Sequence, residues 1–206
     1  MLYTEDSPQN GGSEEAERDE DRLRRERQDE RLVAFDAAVA GIAAQVLPAY
    51  GASDDWLERM RAGLTALLGA LDEQPELARA LVVDSIAWGP TVLERRGELL
   101  EALAGALEAA RVEVEPFAEL PETTGENLVG ASLSWVHKRL ARESGPLVEL
   151  GPSLMSMIVH PYLGDEAARL ELERPTADFG VEFAVRESGG PARVQGPVSR
   201  VRATPS

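Results

Sequence analysis

Cysteine is absent from all 206 residues, which excludes disulfides, thiolate metal ligands and a cysteine nucleophile. Histidine is almost absent. His137 and His160 are the whole supply and do not sit one helical turn apart, so no histidine pair of a zinc helix exists. Lysine occurs once, at Lys138, and arginine carries the remaining positive charge. That bias, beside abundant Ala, Gly, Leu and Glu, suits a GC-rich bacterial genome. Positive charge is scarce overall. The formal net charge is −16, with the acidic excess spread along the chain. A protein that grips phosphates needs clustered Lys and Arg, so direct nucleic-acid contact is not expected. An acidic surface is also repelled by anionic membranes. No stretch approaches the roughly 20 apolar residues that span a bilayer. The opening MLYTEDSPQNGGSEEAERDEDR lacks the basic start and apolar run of a signal peptide. The expected location is therefore the cytoplasm, with no membrane partner.

Catalytic patterns are equally thin. GASLS and GPSLM place serine near glycine without the G-x-S-x-G elbow. GPTVLERRG lacks the G-K-[ST] ending of a phosphate loop. Acidic pairs such as Asp54-Asp55 fall where a helix starts and are explained by capping. No enzyme activity, cofactor or metal is expected. Aromatics form 5% of the chain, so Trp56, Trp88, Trp135, Phe35 and Phe117 are each either a core anchor or one wall of an apolar pocket. Periodicity alone does not separate the two. His137, beside an apolar stripe, reads as a core or interface residue or as a polar pocket contact, and His160 reads as a helix-end residue.

What the chain does contain is helical periodicity. Residues 1–17 offer little to bury and read as a disordered tail, and residues 18–31 alternate in charge as a solvated helix extension or a linker does. Leu32, Phe35, Val39, Ile42 and Val46 then line one helix face, which Pro48 ends. Ser53 is the expected N-cap of a second helix, through Trp56, Met60, Leu64, Leu67 and Leu71. Pro75 opens a third, carrying Leu77, Leu81, Val82 and Ile86. Two capping-box spacings, Thr91 with Glu94 and Thr123 with Glu126, open helices through Leu93–Leu107 and through Leu128–Leu140. Gly145 and Pro146 close the latter. Pro152 opens a Met- and Leu-rich helix that Pro161 kinks or ends, and Asp165 starts a last short one. After Pro175 the alternation of Phe179, Val181, Phe183 and Val185 hints at a lone strand, but the expectation is mostly tail, disordered over 187–206. The expected fold class is all-α: six to seven helices over residues 29–174, between a charged tail at 1–28 and a mostly disordered tail at 175–206.

Several strings carry a family resemblance. DERLVAFDAAVAGIAAQV resembles the segment that follows the helix-turn-helix in TetR-family transcriptional regulators. DDWLERMRAGLTALLGALDEQPELARALVVDSIAWGP is similar to the next two helices, and ERRGELLEALAGALEAAR to the long helix after them. LVGASLSWVHKRL and LGPSLMSMIVHPYLGDEAARL resemble the last two, with PYLGDEAA the most distinctive piece. The match runs over residues 29–172. Residues 1–28 precede it and show no basic, patterned recognition helix, so the DNA-reading head is expected to be missing. The resemblance implies an effector-binding and dimerisation domain. Its implied partners are a second copy, a small apolar effector and a full-length relative in a heterodimer. It implies a pocket lined by Trp56, Met60, Leu64, Trp88, Leu93, Arg96 and Leu100. It also implies a four-helix dimer interface through Gly130, Leu133, Val136, His137, Leu140, Met155, Met157 and Ile158. The alternatives are a complete DNA-binding repressor whose N-terminus was mis-assigned, and a non-functional remnant.

Overall fold

Apolar spacing and proline punctuation translate into six α-helices in a computed structural model, which describes residues 11–109 and 120–179, with side chains from Glu15 onward. Among the described residues all regular structure is helical, so the protein is all-α. Helix α1 (Gly11–Tyr50) is followed by α2 (Trp56–Glu73), α3 (Pro75–Val82), α4 (Pro90–Glu108), α5 (Thr124–Arg142) and α6 (Gly151–Leu172). Short 3-10 turns lie at Asp84–Ala87, Leu147–Leu150 and Thr176–Phe179.

The charged stretch 18–31 continues α1 as one rod, about 60 Å long at 1.5 Å per residue. Ion pairs at helical spacing, such as Arg22 with Asp19 and Arg24 with Asp21, make this solvated half a helix rather than a tail. Residues 11–17 are helical too, which corrects their reading as disorder. Residues 1–10 and 187–206, and the remaining strand candidates Val181, Phe183 and Val185, lie outside the described residues.

The helix limits depart from the sequence reading by a few residues, each for a local reason. Pro48 lies inside the last turn of α1, which runs on to Tyr50. Asp55, not Ser53, caps α2: its carboxylate accepts from the Glu58 N–H at 2.9 Å, while Ser53 Oγ accepts from Asp55 N–H at 3.1 Å. Ile86 leaves α3 and joins a 3-10 turn. Helix α4 starts at Pro90, so Thr91 is already inside it, and the cap is Gly89 at φ 114°. Thr123 does cap α5, without the side-chain bond of a capping box. That helix stops at Glu143, which adopts the left-handed conformation two residues before Gly145. Pro161 is tolerated within α6, and the true break is Gly164 at φ 79°, just before the short terminal segment expected at Asp165.

Helix α2 doubles back along α1, with Gly63 against the Tyr50 ring and Leu68 and Leu71 beside Ile42. Helix α5 returns along α4, where Gly125 allows close approach to the Ala104 carbonyl and its N–H donates to Glu108. Arg95 of α4 clasps Asp36 of α1 at 2.7 Å. Two clusters form the interior. The first is aliphatic, built on Ile42, Leu68, Leu71, Val82, Val136, Leu147 and Leu154. The second is aromatic and thioether-rich, built on Trp56, Met60, Leu107, Met155, Ile158, Val159, Tyr162 and Phe179. Half-buried Leu64 touches both. Phe179, read as tail, is fully buried: the bare backbone of Gly151 admits its ring, and a Cβ there would run into it.

Candidate functional site

The second cluster holds the side chains suited to contact a small apolar molecule. Asp55 caps α2 and so aims Trp56 inward from its first turn. The Trp56 and Tyr162 rings meet edge to face, 5.3 Å between centroids and 61° between planes. Met60 follows one turn on from Trp56, and Met155 and Ile158 approach from α6. The indole N–H of Trp56 is buried without a hydrogen-bond partner among the described residues. A buried donor left unpaired costs about 1–3 kcal/mol.

Of the seven pocket candidates, the structure brings Trp56, Met60 and Leu64 together. Trp88, Leu93, Arg96 and Leu100 are not members of that cluster. Trp88 is half-buried, its carbonyl accepting from Arg31 of α1 at 3.4 Å. Leu93 is 43% exposed, and Leu100 is half-buried on α4. Arg96 is also half-buried, and burial holds its guanidinium below the ordinary pKa. Trp88, Leu93 and Leu100 therefore lie outside that apolar cluster.

The eight dimer candidates divide similarly. Gly130 is exposed, and Leu133, His137, Leu140 and Met157 are half-buried. Val136, Met155 and Ile158 are buried within the protomer, where they pack the two clusters and offer a second copy little surface. His160 is exposed at the α6 kink and pairs with Asp165 at 2.6 Å.

Two features gave no signal in the sequence. The first is a buried ion pair between residues 110 positions apart: Arg61 grips Glu171 with two hydrogen bonds, Nε at 3.1 Å and Nη2 at 2.5 Å. Arg61 is 8% exposed and Glu171 2%. Glu58 pairs with Arg61 at 2.7 Å, and Arg174 with Glu171 at 3.2 Å, which extends the network towards Asp178. Burial by itself lowers the Arg61 pKa, but the bonds to Glu171 and Glu58 outweigh it and hold the guanidinium above its ordinary value. The second is a surface groove of about 710 Å³ between α1 and α2. Its walls are Ala44, Pro48 and Ala49 of α1 and Ala62 and Ala66 of α2, with Glu58, Arg61 and Asp178 also lining it. None of the seven pocket candidates lines this groove.

One further feature bears on location. By length and composition α1 is apolar enough to cross a membrane, because a stretch of it with few charges averages a hydropathy of 1.7. This corrects the reading that no stretch comes close. Alanine keeps the average high around Asp36 and Gln45. Compared with family models, with curated proteins and with solved structures, the chain matches none.

Proposed function

We propose that this chain is a transcription-regulatory module of the TetR type, whose task is to bind a small apolar effector and to self-associate. Two things support the reading: the strings that carry the resemblance, which fall on helices α1 to α6, and the chemistry of the second cluster. The observation that carries the effector site is the unpartnered indole N–H of Trp56 within an aromatic and methionine lining. An uncharged, largely apolar molecule with one acceptor oxygen or nitrogen would satisfy that donor and replace soft side-chain contacts with its own.

Thermal-shift screening of apolar compounds tests this. A ligand at 100 times its dissociation constant stabilises by about 2.7 kcal/mol, which is readily visible as a raised Tm. Trp56→Phe keeps a smaller aromatic ring and deletes the donor, so the response to acceptor-bearing compounds should shrink more than that to purely apolar ones. If no compound class stabilises the protein, the cluster is a solid core and the effector reading fails.

A further inference from the structure

Helix α1 carries two stripes, and only one has a partner among the described residues. The first, with Phe35 and Ile42 buried, faces the body of the protomer. The second is Val33, Ala37, Ala40, Ala44 and Leu47, recurring at 4-3-4-3 spacing, and all five are exposed. Val33 at 69% and Leu47 at 65% are the most exposed large hydrophobics among the described residues. Ala34, Gly41 and Pro48 beside them are exposed as well. Asp36, the charge nearest this stretch, is held by Arg95 of α4. Only 11% of the apolar stretch of α1 is buried, so its most apolar part is poorly covered by the described residues. A contiguous apolar surface of this kind marks a site of association.

Size and charge along the stripe point to the occupant. The order is large, small, small, small, large, which is the same read in either direction. An antiparallel copy of α1, related by a two-fold axis near Ala40 and Gly41, sets Val33 of one copy against Leu47 of the other and Ala37 against Ala44. Small residues at the centre let two helices approach to the near end of the usual 8–10 Å range. Charge argues against the parallel direction. Going towards the N-terminus, the same spacing next meets Glu30 and Glu26, both exposed. A parallel pair would stack each glutamate on its own copy. An antiparallel pair sends them to opposite ends. A stable interface needs roughly 800 Å² per partner. Ala44 and Pro48 also wall the α1–α2 groove, which continues the surface onto Ala62 and Ala66 of α2. That groove widens the contact from one helix to two.

We infer that the chain forms a two-fold dimer in which α1 of each copy lies antiparallel to α1 of the other and beds into its α1–α2 groove. This surface is separate from the α5 and α6 pairing that the regulatory reading implies, and the experiment distinguishes them. Light scattering at micromolar concentration should give about twice the 22.3 kDa of one chain. Ala40→Glu, on an exposed helical position, should retain its helical circular dichroism and raise the dimer dissociation constant at least tenfold. Ala37→Lys and Ala44→Glu should each weaken the dimer, and the double variant should recover it, because the antiparallel register pairs these positions. The chain has no native cysteine, so Ala40→Cys offers a clean second measurement: oxidation should link two copies, while Lys138→Cys on α5 should not. A dimer that survives Ala40→Glu but dissociates with Trp135→Glu on α5 overturns the inference and leaves the regulatory reading standing. A chain that stays monomeric also overturns it. If that monomer floats with phosphatidylcholine vesicles, the stripe belongs to lipid instead.

Discussion

The two interior clusters share α2 and α6 yet differ in kind. The aliphatic cluster is closed by hydrogen bonds that leave little unsettled at its edge: Asp72 accepts the N–H groups of Leu147 at 2.7 Å and Val148 at 2.9 Å. The aromatic cluster contains an indole N–H without a partner among the described residues, two methionines and the wedged ring of Phe179. Branched aliphatic side chains in fixed rotamers hold helices in one arrangement, whereas methionine and aromatic surfaces tolerate repacking around something else. One cluster is suited to rigidity and the other to accommodation. A buried ion pair, Arg61 with Glu171, ties α2 to the end of α6.

Mutations can break this contrast, and the largest effect is expected at the ion pair. Arg61→Met removes the bidentate partner of a carboxylate that is almost wholly out of water, and should cost about 3–5 kcal/mol in urea-induced unfolding. Arg61→Met with Glu171→Leu should cost less than Arg61→Met alone, because no buried charge is then stranded. If the single variant is neutral, the pair is not what tethers α6. Next comes Leu154→Ala, at the fully buried centre of the aliphatic cluster, with an expected loss of about 2–5 kcal/mol and an unchanged m-value. A loss near zero would show that this cluster collapses around cavities and is not the rigid one. The smallest effect is Trp56→Phe without ligand. It loses ring volume but relieves an unpaired buried donor, so the change in stability should stay within about 1.5 kcal/mol. A loss as large as that of Leu154→Ala would mean that the indole N–H has a partner in solution and that the clusters are alike.

Much of the fold was legible because the relevant signals are local. The stripe of Phe35 and Ile42 on α1, Pro75 at the start of α3, and the pairing of Pro152 with a Met- and Leu-rich run each declare a helix within a few residues. Helix ends were less legible, since Ser53 and Asp55 compete for one cap and only backbone geometry decides between them. The candidate site was legible in part. Trp56 and Met60 sit one turn apart on α2, so their shared face could be read directly. Tyr162 could not be placed beside them, because it lies more than a hundred residues away and beyond Pro161. The second stripe of α1 was overshadowed: its alanines are helix formers first and report little about which face is covered.

The amino-acid sequence by itself determined where the helices lie and that the protein is all-α, because apolar spacing, caps and prolines act over a turn or two. Only the tertiary structure decided which helix faces are covered, that Val136, Met155 and Ile158 are core, and that Arg61 meets Glu171. Those outcomes depend on which surfaces meet across long stretches of chain, and burial is a property of neighbours that no single helix carries in its own spacing.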